Sequence, residues 1–184
     1  MRLFVAVVPP PEVVEHLDAF LDVRREAGAF RWTVPDQWHL TLAFMPTVAE
    51  RHLDDLETRL ERAGHKRRPF ELVVAGGGAF PNPAHAKVLY ADLARQSDDV
   101  QHLATGVRAA CAKAGAEPDG GRFRAHLTLA RIGHPQEVTN WVRVLETYAG
   151  PTWTVDEFAL IQSHLGEGPR KRPRHETLVT FQLG

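Results

Sequence analysis

The chain has 184 residues, with 22 Lys and Arg against 23 Asp and Glu, a formal net charge of −1 and 43% hydrophobic residues. A length of this order suits one domain or two small lobes sharing a core, and it buries enough surface to fold without staples. The single cysteine, Cys111, excludes an internal disulfide framework and a Cys-rich zinc site and is compatible with a reducing cytosol, while the balanced charge argues against coating nucleic acid by bulk electrostatics.

In chain order, Arg2 to Val8 reads as a buried strand, too short an apolar run to span a bilayer, and the Pro9-Pro10-Pro11 that follows does not have the shape of a signal peptide. Pro11 suits a first helical turn, and Val13, Val14, Leu17, Phe20 and Leu21 continue at helical spacing toward a stop at Gly28. A strand is predicted over His39 to Phe44. A helix from about Val48 follows, announced by the capping-box pattern Thr47-x-x-Glu50, with Leu53, Leu56 and Leu60 on one face and Gly64 after it. Phe70 to Ala75 reads as a strand that ends in a mobile loop, Gly76-Gly77-Gly78, near which Phe80 is placed to stack on a base. With no Lys-Ser/Thr after them, these glycines are not a phosphate-binding P-loop.

The second half repeats the order. A strand is predicted at Lys87 to Asp92, a helix from about Ser97 to Ala114, a strand at Phe123 to Ile132 and a helix at Pro135 to Thr147. Strands at Thr154 to Ile161 and Thr177 to Leu183 close the chain. Shifting the first-half elements by 87 positions, the separation of His39 and His126, lands them on their counterparts. The pattern predicts an α+β fold of two pseudo-symmetric β-α-β-α-β lobes, with mainly antiparallel sheets lining a central cleft and helices outside, as a single bilobal domain over residues 1–184.

The sharpest feature is a hexapeptide that occurs twice, His-Leu-Thr-Leu-Ala-Phe at 39–44 and His-Leu-Thr-Leu-Ala-Arg at 126–131. Along a strand alternate residues share a face, so His39 and Thr41 point one way and Leu40 and Leu42 the other, and the same holds for His126 and Thr128 against Leu127 and Leu129. Packing needs the leucines and has no use for His and Thr at both places. Two imidazoles that titrate near neutral pH, one giving a proton while the other takes one, suit phosphodiester chemistry, and two hydroxyls suit non-bridging phosphate oxygens. A two-histidine metal site is the competing reading; it lacks a carboxylate or cysteine partner on those strands, and tetrahedral zinc needs at least three protein ligands.

The paired motifs resemble those of the 2H phosphoesterases. Within that superfamily the chain is similar to the RNA 2′,3′-cyclic phosphodiesterases, also known as 2′-5′ RNA ligases. The similarity runs through the opening MRLFVAVVPP, the first motif after Trp32 and Pro35, GAFPNPAHAKVLYADL at 78–93, FRAHLTLAR at 123–131 and the closing ALIQSHLG and TLVTFQLG. It implies hydrolysis of a 2′,3′-cyclic phosphate to a 2′-phosphomonoester without a cofactor or metal. His39 would be the proton donor, His126 the proton acceptor, and Thr41 and Thr128 the phosphate-binding hydroxyls. Arg131 follows the second motif where the family often carries Arg. His175 stands where relatives often have Tyr, and imidazole can supply stacking or a phosphate contact.

The basic run Arg170-Lys171-Arg172-Pro173-Arg174-His175 is placed to engage RNA phosphates at the cleft, with Arg170 as a substrate-binding candidate, against the plainer reading of a solvated loop. Trp38 points away from His39 and is expected to pack, and Cys111 to be buried. The expected partner is RNA with a 2′,3′-cyclic phosphate end or a related cyclic nucleotide, met by a cytoplasmic monomer with no membrane association. Hydrolysis of a 2′-5′ linkage, its reverse ligation, and a non-catalytic RNA-binding module remain as alternative readings.

Overall fold

The computed structural model describes residues 1–94 and 98–184, so the Ser97 start of the third predicted helix lies outside the described residues. Among the described residues ten strands and four α-helices follow one another as β1 (Leu3–Val7), α1 (Pro11–Asp22), β2 (Arg31–Trp32), β3 (Leu40–Met45), α2 (Leu53–His65), β4 (Phe70–Leu72), β5 (Val74–Phe80), β6 (Ala86–Leu93), α3 (Asp98–Lys113), β7 (Leu127–Gln136), α4 (Thr139–Glu146), β8 (Trp153–Val155), β9 (Glu157–His164) and β10 (Arg174–Gln182). Eight strands form one antiparallel sheet in the order β10-β9-β1-β3-β7-β6-β5, with β2 paired to β7, and β4 and β8 make a separate two-stranded ribbon.

The two-lobed α+β architecture matches the expectation, but chain halves and lobes do not coincide. β9 and β10, from the second half, extend the sheet beyond β1, and β5 and β2, from the first, pair with β6 and β7, so each lobe takes two strands from the other half. The lobes meet where β3 touches β7, through the single pair Leu40↔Leu127. On one face of the sheet, Leu3, Val5, Val7, Leu40, Leu42, Leu127 and Leu129 share a core with Val13, Leu17 and Leu21 of α1, Leu56 and Leu60 of α2 and Val100, Leu103 and Val107 of α3. The other face carries only a small apolar cluster of Phe4, Ala6, Ala159 and Ile161, and is left for polar groups. No helix among the described residues is long and apolar enough to cross a membrane.

Three expectations are corrected. Residues 47–49 do not start a helix, because both backbone groups of Val48 are taken by Met1: its N–H donates to the Met1 carbonyl at 2.8 Å and its carbonyl accepts from the Met1 ammonium at 2.8 Å. Helical backbone starts with a 3₁₀ turn at Glu50, and α2 has no side-chain cap bond. Gly76, Gly77 and Gly78 are not a loop but the middle of β5. Gly76 takes a left-handed φ of 74°, and a methyl group on Gly77 or Gly78 would come within 2.7 Å of Leu145 Cβ or 2.6 Å of Tyr90 Cζ. The glycines therefore let α4 and the Tyr90 ring close on the strand. β7 begins later and runs further than expected, through Pro135 to Gln136, which pairs with Ala86 and delays α4 to Thr139.

Replacing Leu127 by Ala empties the seam between the lobes at a side chain that is 1% exposed. Leu127→Ala is expected to lose about 2–5 kcal/mol of unfolding free energy in a denaturant titration.

Candidate active site

The two motifs enter the centre of the sheet side by side. His39 and His126 stand immediately before β3 and β7, one residue from the Leu40↔Leu127 pair that joins the lobes. Each imidazole is oriented in the same way: Nδ1 donates to the carbonyl two residues earlier, His39 to Gln37 at 2.7 Å and His126 to Arg124 at 2.7 Å. A carbonyl only accepts, so Nδ1 carries the proton in both rings and Nε2 is the atom left for chemistry. Both rings sit in aromatic settings. His39 stacks on Phe4 with centroids 4.6 Å apart and meets His175 edge-on at 5.7 Å; His126 meets Phe80 at 5.0 Å and Tyr90 at 5.4 Å.

His39, Thr41, His126, Thr128, Arg131 and His175 line one cavity of about 480 Å³. Strict alternation puts Thr128 in it but turns Arg131 toward the core. A β-bulge reverses that: opposite β6, Leu89 pairs with Ala130 and Tyr90 with Thr128, which leaves Leu129 as an extra residue. β3 has the same irregularity opposite β1, where Val5 pairs with Ala43 and Ala6 with Thr41, leaving Leu42 unmatched. Beyond each bulge the next side chain is re-aimed into the cavity, Phe44 in one copy and Arg131 in the other.

Burial pushes the His39 imidazole down to about 4; the bond to the Gln37 carbonyl raises it, and His175, His126 and Arg131 lower it further. Burial likewise lowers His126, with the Arg124 carbonyl opposing, Arg124 and Arg131 lowering and Asp92 raising it. His175 is lowered by burial and raised by Asp36. Both motif histidines therefore favour the neutral ring at pH 7 while the cleft holds no anion.

Two candidates fall elsewhere. Phe80 does not line the cavity: it ends β5 and stacks on Tyr90 at 4.3 Å, so it forms a wall for His126 rather than a free platform for a base. Arg170 does not line it either, because residues 169–171 turn as a short 3₁₀ segment in which Arg170 has a φ of 56°. The basic run instead contributes Arg172, whose Nη1 donates to the Trp32 carbonyl at 2.6 Å, and Pro173, whose carbonyl accepts from Gln37 Nε2 at 2.9 Å. Sequence reasoning missed Arg2, Phe4, Arg31 and Phe44 as lining residues. The available signal was positional for Phe4, which lies 86 residues before Tyr90 and flanks the other histidine. Trp38 is 2% exposed and packs away from the cleft, and burial pushes the Cys111 thiol up to about 12.

A family model of the 2′-5′ RNA ligase superfamily matches residues 8–167. The chain is 31% identical to an RNA 2′,3′-cyclic phosphodiesterase of Archaeoglobus fulgidus over 183 residues, 99% of this chain and 100% of the relative. It is 32% identical to an RNA 2′,3′-cyclic phosphodiesterase of Thermus thermophilus over 192 residues, 100% of this chain and 90% of the relative. Among solved structures, Escherichia coli LigT in its apo form superposes with a TM-score of 0.79 at 25% identity, covering 99% of this chain and 96% of LigT.

The ring geometry is open to ¹⁵N NMR of the free protein. Both motif imidazoles are expected as the Nδ1–H form at pH 7, with His39 titrating near 4 and His126 below 6.5. An Nε2–H form in either ring would contradict the carbonyl bonds described above.

Proposed function

The chain belongs to the 2′-5′ RNA ligase superfamily of 2H phosphoesterases, and from that premise we propose that residues 1–184 work as one bilobal enzyme that hydrolyses RNA 2′,3′-cyclic phosphate ends to 2′-phosphomonoesters. The observation that carries this reading is the identical setting of the two histidines: each Nδ1 is held by a carbonyl at 2.7 Å, both rings line the same cavity, and each has a threonine two residues on. In the proposed reaction His126 Nε2 takes a proton from water as the water oxygen bonds to phosphorus. The P–O3′ bond breaks, and His39 Nε2–H gives its proton to the departing O3′. Thr41 and Thr128 donate to the non-bridging oxygens as the phosphorane develops. One proton has moved onto His126 and one off His39, and exchange with solvent restores the starting state.

A ring with a pKa of about 4 is a poor acid store in the empty site. The role of His39 therefore rests on the substrate: a phosphodiester anion beside the ring favours imidazolium and raises the pKa as it binds. What supports a metal-free path is the donor set, since two hydroxyls rather than carboxylates stand next to the imidazoles and suit phosphate oxygens better than a divalent cation.

An RNA oligonucleotide ending in a 2′,3′-cyclic phosphate is expected to give a 2′-phosphate in EDTA, located by phosphorus NMR; turnover only after metal is restored would refute the metal-free path. His39→Ala or His126→Ala is expected to cut turnover at least ~10²-fold with the fold intact. Since both free-site histidines lie below 6.5, kcat/KM should be bell-shaped with its peak on the acid side of 6.5, rising with pH through the lower of the two pKa values and falling through the upper. The kcat optimum should sit at higher pH, because bound phosphate raises them.

A further inference from the structure

Among the described residues four arginines, Arg2, Arg31, Arg131 and Arg172, line the cleft, and no Asp or Glu lines it with them. A 2′,3′-cyclic phosphate carries a single negative charge, so this wall holds more positive charge than the scissile group matches. The excess is concentrated at one place. β2 pairs with β7 so that Arg31 lies directly opposite Arg131. Like charges facing across a ladder are destabilising, and neither arginine has an ion-pair partner among the described residues. Arg172 joins them from the β9–β10 connection, held by its bond to the carbonyl of Trp32, the residue after Arg31. That bond uses one of five guanidinium N–H donors. With Leu129 taken up by the bulge, Arg131 lies two paired positions beyond Thr128, roughly 7 Å along a strand at about 3.3 Å per residue, so the Arg31–Arg131 pair stands up the cleft from the histidines and threonines.

We propose that Arg31, Arg131 and Arg172 form a second anion subsite that takes the phosphate on the 5′ side of the terminal nucleotide. An anion there relieves the Arg31–Arg131 repulsion and accepts charge-assisted hydrogen bonds from planar guanidinium groups. The preferred substrate class is then a nucleotide chain or a 5′-phosphorylated nucleotide, in preference to a nucleoside 2′,3′-cyclic phosphate with a free 5′ hydroxyl. The inference rests on the reading of the histidine site given above, but the subsite is separately measurable.

The test compares adenosine 2′,3′-cyclic phosphate with its 5′-phosphorylated form. The 5′ phosphate is expected to lower KM at least about tenfold in the wild-type protein, and this ratio is expected to fall to near one in Arg31→Gln and to drop in Arg172→Gln. Calorimetry with adenosine 2′-phosphate and adenosine 2′,5′-bisphosphate reads the same subsite without turnover, and the bisphosphate should bind at least about tenfold tighter unless Arg31 is replaced. Hydrolysis of both cyclic substrates with equal KM, together with equal binding of the two adenosine phosphates, overturns the subsite and leaves the proposed reaction standing. Hydrolysis of neither substrate, with the bisphosphate preference intact and dependent on Arg31, refutes the reaction and supports the subsite. An equal loss of preference in Arg62→Gln, exposed on α2, would reduce the effect to general surface charge and overturn the subsite as well.

Discussion

The contact between β3 and β7 at Leu40 and Leu127 is the constraint on which the site depends. It joins two lobes of one sheet and lies one residue from each histidine, so the register of a single pair sets both imidazoles on the same face. A slip of one residue would send His39 and Thr41 into the core and Leu40 and Leu42 into the cleft. Exchange of strands between the halves holds that register from outside. β9 flanks β1 and β5 flanks β6, so neither chain half completes its lobe without the other. The catalytic candidates thus sit where two incomplete halves become one sheet.

The paired bulges convert a symmetric frame into an asymmetric site. The small, fully buried Ala43 and Ala130 stand at the irregularity in both strands. They turn residue 44 or 131 toward the cavity, and the same backbone device delivers a phenyl ring on one side and a guanidinium on the other. Arg2 stacks over Phe44 at 4.4 Å from the ring centroid, so the aromatic side gains a cation by another route. Positions 37 and 124 diverge in the same manner. Their carbonyls perform the same task for the two imidazoles, but the Gln37 side chain ties down Pro173, whereas the Arg124 side chain pairs with Asp92 at 2.6 Å.

The sequence made legible what is periodic and local. The repeated His-Leu-Thr-Leu-Ala, the helix announced by Pro11 and the 87-residue offset all follow from patterns within one segment, and they were enough to name His39, Thr41, His126 and Thr128. What depended on a partner strand was hidden. A bulge exists only relative to the strand it mismatches, so Phe44 reads as a core residue until β1 is placed beside it. Three glycines read as a loop until Tyr90 and Leu145 are seen to need the space. Thr47 to Glu50 has the letters of a helix cap, but a distant Met1 claims the backbone groups of Val48. Arg172 was inside a run correctly flagged as basic, yet which arginine faces the cleft was decided by the Trp32 carbonyl.

The electrostatics of the cleft follow from that architecture. Sinking two imidazoles into the middle of a sheet removes water from them and, with Arg131 nearby, disfavours their charged forms. The arginines along the wall are half-buried or exposed, and among the described residues that line the cleft there is no carboxylate to neutralise them. An empty cleft is therefore short of negative charge at every position that matters: at the rings, which stay neutral, and at the Arg31–Arg131 pair, which repel. A phosphate supplies what both lack. In the proposed reaction it lets one ring hold the proton that acid catalysis would spend, and only where the anion is seated, so that protonation and substrate placement would become a single event.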